Sequence, residues 1–449
     1  MKKARAILCG VLAALMLAGC GGQQGGATLD LKQYAVAQAV YPDYPKRPIE
    51  ADYYRDDGQW DDSAYEADYE KYVDGLRALG KNEERVDTAA LTAFGGNTAA
   101  AIFTTQENTV YSPVSLYVAL SMLTELTDGE TKRQVMDLLG AADAGALRQQ
   151  IKKLWVSVYQ DGDAVCRLAN AAFLRENADV KQSAADTLAQ WYYASSYRVP
   201  MGTEEADRAI ASWLNQQTGG LLAEETGNIR TDAANLLRLY NTIYYKAGWW
   251  EPFKSSRTKA DTFTAADGSE QRADFMHLTE TGDVLRGEGY TAAPKSLKCG
   301  RMVFVLPDEG VTPESLLARD GFLTELTGEY SMADVVWSVP RFDVKTSVDL
   351  KDILKALGVT DAFDGNMADF TPLTDNGAMV NSVMQAARVK IDEEGVEAAA
   401  YTEIVANDSS AMIEPPPVVE MNLNRPFLFV IFNSDNVPLF VGTVQMVEG

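Results

Sequence analysis

An α+β fold, one large domain of helices packed on broad sheets, is what this sequence predicts, and three observations predict it. From about Thr88 onward, helix-like and strand-like segments alternate without an internal repeat. The chain has 449 residues, 46% of them hydrophobic, which is enough to bury a large core. Phe427 to Phe432 is almost wholly apolar, as expected of a strand covered on both faces.

The elements follow in chain order. Lys2, Lys3 and Arg5 precede an apolar run from Ile7 to Leu17, which is too short to span a bilayer and reads as an export signal over 1–19. The tetrapeptide Leu17-Ala18-Gly19-Cys20 resembles a bacterial lipobox, which implies cleavage before Cys20 and lipid on its sulfur. Residues 20–27 then form a lipidated cysteine and a Gly-rich tether. Removing the leader leaves 37 basic against 64 acidic side chains, a charge near −27. Such a balance repels phosphate backbones, so nucleic acid is not an expected partner.

Residues 28–85 form an acidic, Tyr-rich extension, read as a solvated segment packed loosely on the domain. Within it Asp61 to Leu79 has Tyr65, Tyr69, Tyr72 and Leu76 at helical spacing. Ser112-Pro113 opens a helix, with Pro at its first turn and Leu116, Leu120 and Leu123 on one face. Ala206 to Gln217 is a helix closed by Gly219-Gly220. Leu239 to Tyr245 and Val335 to Val344 read as strands.

Catalytic chemistry finds little support. His277 is the one histidine and lies in an apolar, strand-like context, so triads and His-rich zinc sites are not expected. No cofactor or metal is expected either. Once the leader and Cys20 are set aside, Cys166 and Cys299 remain, either as a disulfide or as two buried thiols.

The most informative segment is Ile391 to Thr402, IDEEGVEAAAYT. It begins as a strand, bends at Gly395 and continues in small residues. Val396, Ala398, Ala400, Thr402 and Ile404 share one parity; Glu397, Ala399, Tyr401 and Glu403 share the other, able to meet water. No proline interrupts Ile391 to Met412, and the first parity carries no charge, so the segment could join a sheet without losing a ladder donor or burying an ion. It leads instead into a polar, loop-like stretch, NDSS at 407–410, and so has two alternative homes.

That pattern resembles the hinge and reactive-centre loop of serpins. Five further patches follow the family's order: 108–135 (NTVYSPVSLYVALSMLTELTDGETKRQV), 239–253 (LYNTIYYKAGWWEPF), 304–310 (FVLPDEG), 339–363 (VPRFDVKTSVDLKDILKALGVTDAF) and 424–445, which contains NRPFLFVIF and PLFVGTVQ. The resemblance covers residues 86–449. It implies a large mixed central sheet, two further sheets, about eight to nine helices and an exposed reactive-centre loop. It also implies function by mechanics: a target serine protease cuts the bait and forms an acyl-enzyme, and the freed hinge inserts as a new middle strand. The expected state is a monomer, lipid-anchored at the cell surface.

By the same resemblance Glu393, Glu394, Gly395, Val396, Glu397, Ala398, Ala399, Ala400, Tyr401 and Thr402 form the hinge. Ser112, Ser115, Asn241 and Gln385 form the shutter beneath the opening sheet, with Gln385 where the family commonly has histidine. Trp249 and Arg341, with Glu393, form the breach where the hinge first enters. Counting from Gly395 places the reactive bond at Ser409-Ser410, with Ala411-Met412 and Met412-Ile413 as alternatives. No Lys or Arg occurs from Val396 to Leu423, which disfavours trypsin-like proteases and suits elastase-like or subtilisin-like pockets. A non-inhibitory surface protein that binds a partner is the alternative function.

Overall fold

The computed structural model describes residues 29–447, apart from 56, 81–84, 163 and 398–415. Eight strands form the large sheet. Its order is β1 (Ala35–Ala37), β5 (Ala194–Val199), β4 (Val165–Arg175), β6 (Leu237–Gly248), β14 (Gly395–Val396), β13 (Met384–Ile391) and β12 (Phe342–Asp349), with β3 (Gln160–Asp161) paired to β4. Nine more run β15 (Val418–Asn422), β11 (Ser331–Pro340), β8 (Glu270–Gly287), β9 (Tyr290–Leu297), β10 (Gly300–Pro307), β16 (Phe427–Phe432), β17 (Pro438–Val444) and β2 (Thr109–Tyr111), with β7 (Lys259–Thr264) on β8. The long β8 pairs with β7 and β11 along its first part and with β9 at its end, so it joins what are otherwise two sheets.

The helices are α1 (Asp62–Ala78), α2 (Thr88–Ile102), α3 (Pro113–Leu126), α4 (Gly129–Leu139), α5 (Ala144–Val158), α6 (Gln182–Trp191), α7 (Glu204–Gln217), α8 (Ala223–Thr226), α9 (Pro313–Leu317), α10 (Phe322–Glu325) and α11 (Lys351–Ala356). Ten of these lie in the domain that begins near residue 86, several of them only a turn or so long. Local chemistry sets their ends. The Asp61 carboxylate caps α1 through the Ala64 N–H, and Ser112 caps α3 ahead of Pro113.

The large sheet is covered on both faces. On the back, Cys166, Leu168, Tyr245, Ala247, Val344, Val389 and Val396 join the main core with α3. On the front, Ala169, Ala171, Phe173, Tyr197 and Tyr240 meet Ala206, Ile210, Trp213 and Leu214 of α7 in a second cluster.

Two expectations are corrected. Val335 to Val344 is not one strand: β11 ends at Pro340 and β12 begins at Phe342. Arg341 is the corner at which the chain changes sheet, its N–H turned to the Asp274 carbonyl. Nor is the extension loosely packed. β1 pairs antiparallel with β5 at the sheet edge. Leu31 is buried in the front cluster, and the ring of Tyr44 stacks on Tyr159 at 3.9 Å. From Lys32 to Arg85, however, no described residue is fully buried, and α1 in particular fits the solvated description.

Cys166 and Cys299 are both buried and are not joined in a disulfide. His277 sits half-buried within β8 opposite Ser338. Among the described residues no cluster of three His, Cys, Asp or Glu could hold a metal. None of the described helices is long and apolar enough to cross a membrane.

Candidate functional site: the mouth of the large sheet

β13 ends at Ile391 and the chain reverses over Asp392 to Glu394. The Asp392 carboxylate accepts from the N–H groups of Glu394 (2.9 Å) and Gly395 (3.3 Å), as Asp does in tight turns. Gly395 has φ +153°, and a Cβ there would lie 2.3 Å from the Ala247 carbonyl oxygen. Glycine is therefore required by close approach of the two strands. Beyond it, Gly395 and Val396 pair with Gly248 and Ala247 of β6, while Val396 faces Ile391 of β13. Val396 is buried in the core, on its expected parity.

Four groups pin this turn. Arg341 donates through Nε to both Glu393 carboxylate oxygens (3.2 and 3.0 Å) and through Nη2 to Oε1 (2.5 Å). The Thr258 hydroxyl donates to Glu393 Oε1 at 2.5 Å. The Trp249 indole N–H donates to the Asp392 carbonyl (2.9 Å) and its backbone N–H to Glu394 O (2.8 Å). Trp249 is buried at 1% exposure. Burial works against the charged Glu393, but the hydrogen bonds from Arg341 and Thr258 outweigh it and hold its carboxyl below the ordinary pKa. The same hydrogen bonds raise that of Arg341. So the structure brings Trp249, Arg341 and Glu393 together.

Ser112, Ser115 and Gln385 also meet. The Gln385 side chain accepts from the Ser112 N–H (3.1 Å) and donates to its carbonyl (3.0 Å), while Ser112 Oγ accepts from the Ser115 N–H (3.2 Å). This fastens the start of α3 to β13. Asn241 makes its hydrogen bond to another residue. Its amide donates to Asn170 Oδ1 across β4 and β6, and Asn170 donates in turn to Tyr192 O at 2.5 Å. Among the described residues Asn241 Oδ1 is buried without a hydrogen-bond partner. Thus the strands on either side of β14 are anchored separately, β6 through Asn170 and β13 through Ser112. Among the described residues no ladder pairs β6 directly with β13.

Glu397 departs from expectation. Its side chain lies on the front parity, yet it is half-buried rather than open to water. The backbone has φ +51°, a region costly for a residue with a Cβ. Among the described residues its carboxylate Oε2 has no hydrogen-bond partner. Burial pushes the carboxyl up to about 7, against the pull of Lys246, Arg388 and Lys390. Sequence reasoning also missed Asn170, Thr258 and Asp392. Asn170 left a signal, a polar residue within the buried run Val165–Arg175, whereas Thr258 left none. Ala398, Ala399, Ala400, Tyr401, Thr402, Ser409, Ser410 and Cys20 lie outside the described residues.

Residues 89–446 match the family model described as serpin (serine protease inhibitor). The chain belongs to the serpin family. Serpin-Z1A of Triticum aestivum is 30% identical over 358 residues, covering 75% of this chain and 89% of that protein. Serpin B6 of Macaca fascicularis is 28% identical, covering 75% and 92%. Among solved structures, the thermophilic serpin tengpin in its native state superposes with a TM-score of 0.73 at 24% identity, over 82% of this chain and 96% of that one. Human thyroxine-binding globulin, complexed with its hormone, gives 0.71 at 22%, over 81% and 98%. These two likenesses establish the shared serpin fold, and family membership points to protease inhibition rather than enzymatic turnover.

Proposed function

We propose that this serpin traps a serine endopeptidase by inserting its cut loop between β6 and β13. The observation that carries the reading is the seat of the hinge: Gly395 and Val396 are already laddered between those two strands. Continuing the same register sets Ala398 between Tyr245 and Val389, and Ala400 between Ile243 and Ala387. It would set Thr402 between Asn241 and Gln385, where a hydroxyl could meet Asn241 Oδ1, which has no partner among the described residues. Small apolar residues thus fall on the core and the one hydroxyl falls on the polar belt. Each ladder bond adds about 0.5–1.5 kcal/mol.

The target is an elastase-like or subtilisin-like enzyme cutting near Ser409-Ser410, because Val396 to Leu423 holds no basic residue for a trypsin-like pocket. Export with a lipid on Cys20, anchorage at the outer face of a bacterial membrane, and action as a monomer complete the proposal. They rest on the leader and the LAGC tetrapeptide. Incubation with elastase or subtilisin is expected to give a covalent complex that survives SDS. Loop digestion with no complex and no rise in Tm would turn the reading to a non-inhibitory binding protein.

A further inference from the structure

We propose that Glu397 is a proton-sensitive stop at the mouth of the large sheet: β14 ends just before it, its half-buried carboxyl has no hydrogen bond to Oε2 from a described residue, and advance of the hinge draws it into direct cross-strand register with Lys246 and Lys390, which already lie nearby. The proposal rests on the insertion reading above and adds to it a dependence on pH.

Three features of one residue carry it. The φ of +51° marks Glu397 as the point where the chain leaves the strand, since Val396 before it is fully laddered. Its N–H already bonds the Lys390 carbonyl at 3.1 Å, so the next register position is reached but not adopted. Carboxylate Oε2 is buried with no hydrogen-bond partner among the described residues. Growth of β14 by one residue turns the backbone to the extended region and removes the left-handed strain. In the continued register Glu397 then faces Lys246 on β6 and Lys390 on β13. Directly opposed residues bring their Cβ atoms to about 4.5–5.5 Å, within reach of a Glu–Lys pair on each side.

The surroundings on every side are consistent with this. Tyr244 and Lys246 face Glu397 from β6, Arg388 and Lys390 from β13, and Asp343 from β12. Arg388 is held by Asp343 (2.8 and 2.6 Å) and by the Leu221 carbonyl, and Lys345 by Glu224 of α8 (2.6 Å). Tyr244 lies against the Gly219 turn that follows α7. The front parity is therefore roofed by the segment after α7, which explains why a carboxylate there is short of water.

The sign follows from linkage. In this structure burial raises the carboxyl to about 7. Direct opposition to two lysines favours the charged form. The inserted state then binds fewer protons near neutrality, so raising the pH favours insertion. With the carboxyl at about 7 before insertion and ionised after it, the insertion equilibrium moves about tenfold between pH 6 and pH 8, about 1.4 kcal/mol.

The test compares intact and loop-cut protein by calorimetry at pH 6 and pH 8. Cutting with subtilisin is expected to raise Tm at both values, by about 1–2 °C more at pH 8. In Glu397→Gln that pH difference is expected to vanish while the rise itself persists. In the double variant Lys246→Met with Lys390→Met it is expected to shrink by half or more, an arm that stands even if the Gln variant folds poorly. A pH difference unchanged in these variants overturns the stop at Glu397 and leaves insertion standing. No rise in Tm on cutting the wild-type chain overturns the insertion reading, and this proposal with it.

Discussion

Glu393 and Glu397 are the same residue four positions apart, treated in opposite ways. Glu393 is buried in a fixed turn with every carboxylate contact made: three from Arg341 and one from Thr258. Glu397 stands where the strand stops, half-buried, with Oε2 unpartnered among the described residues and a left-handed backbone. The first environment has ordered donors matched to the charge; the second has removed water and left the carboxylate without full replacement. On the proposed insertion, one marks the part of the hinge that stays, the other the part placed to move.

The largest way to break this contrast is to loosen the fixed end. Trp249→Ala empties a buried indole site and frees the Asp392 carbonyl. We expect a loss of about 3–5 kcal/mol, read as a drop in unfolding midpoint. Arg341→Ala strips Glu393 of its main partner. A fully buried pair broken in this way costs about 3–5 kcal/mol, but Arg341 is 44% exposed. Solvent screening brings the expected loss to about 1–3 kcal/mol, and Arg341→Lys should recover only part of it because the fork of donors is gone.

Titration sharpens the contrast further. Glu397 is raised in the folded chain, so its contribution is complete at low pH and is lost as pH rises through 7. Glu393 is lowered, so its contribution is present above the ordinary carboxylate range and is lost as pH falls through its depressed value. Stability of the intact chain should rise by about 1 kcal/mol from pH 8 to pH 6, and then fall in acid. A Glu393→Gln variant should lose only the acid limb, and Glu397→Gln only the neutral one. The smallest effect is expected from Glu397→Gly, which tolerates the positive φ and removes the buried carboxyl. It should stabilise the loop-out form by about 1 kcal/mol.

Much of the fold was legible because its signals are local. The Asp61 cap, the Ser112-Pro113 start and the Gly219-Gly220 stop all mark helix ends through a few adjacent residues. Arg341 and Glu393 were legible only through family resemblance; no spacing in the chain says that residues 52 positions apart will pair. What was missed is long-range. Nothing in Ala35-Val36-Ala37 announces a partner near residue 197, and nothing in Val335 to Val344 announces a change of sheet at Arg341. Parity placed Glu397 on the correct face. It could not say that α7 and the turn after it roof that face, because alternation reports which side a residue takes and not what covers that side.

The short strand β1 has a consequence for neighbouring molecules. A sheet proposed to take in a strand of its own chain would risk accepting a strand from another molecule at its rim, where backbone groups would lie open. β1 occupies that rim beside β5 with three residues and an irregular register, and Pro42, Pro45 and Pro48 follow it closely. So brief and proline-trailed a border offers little template for fibre growth along that edge.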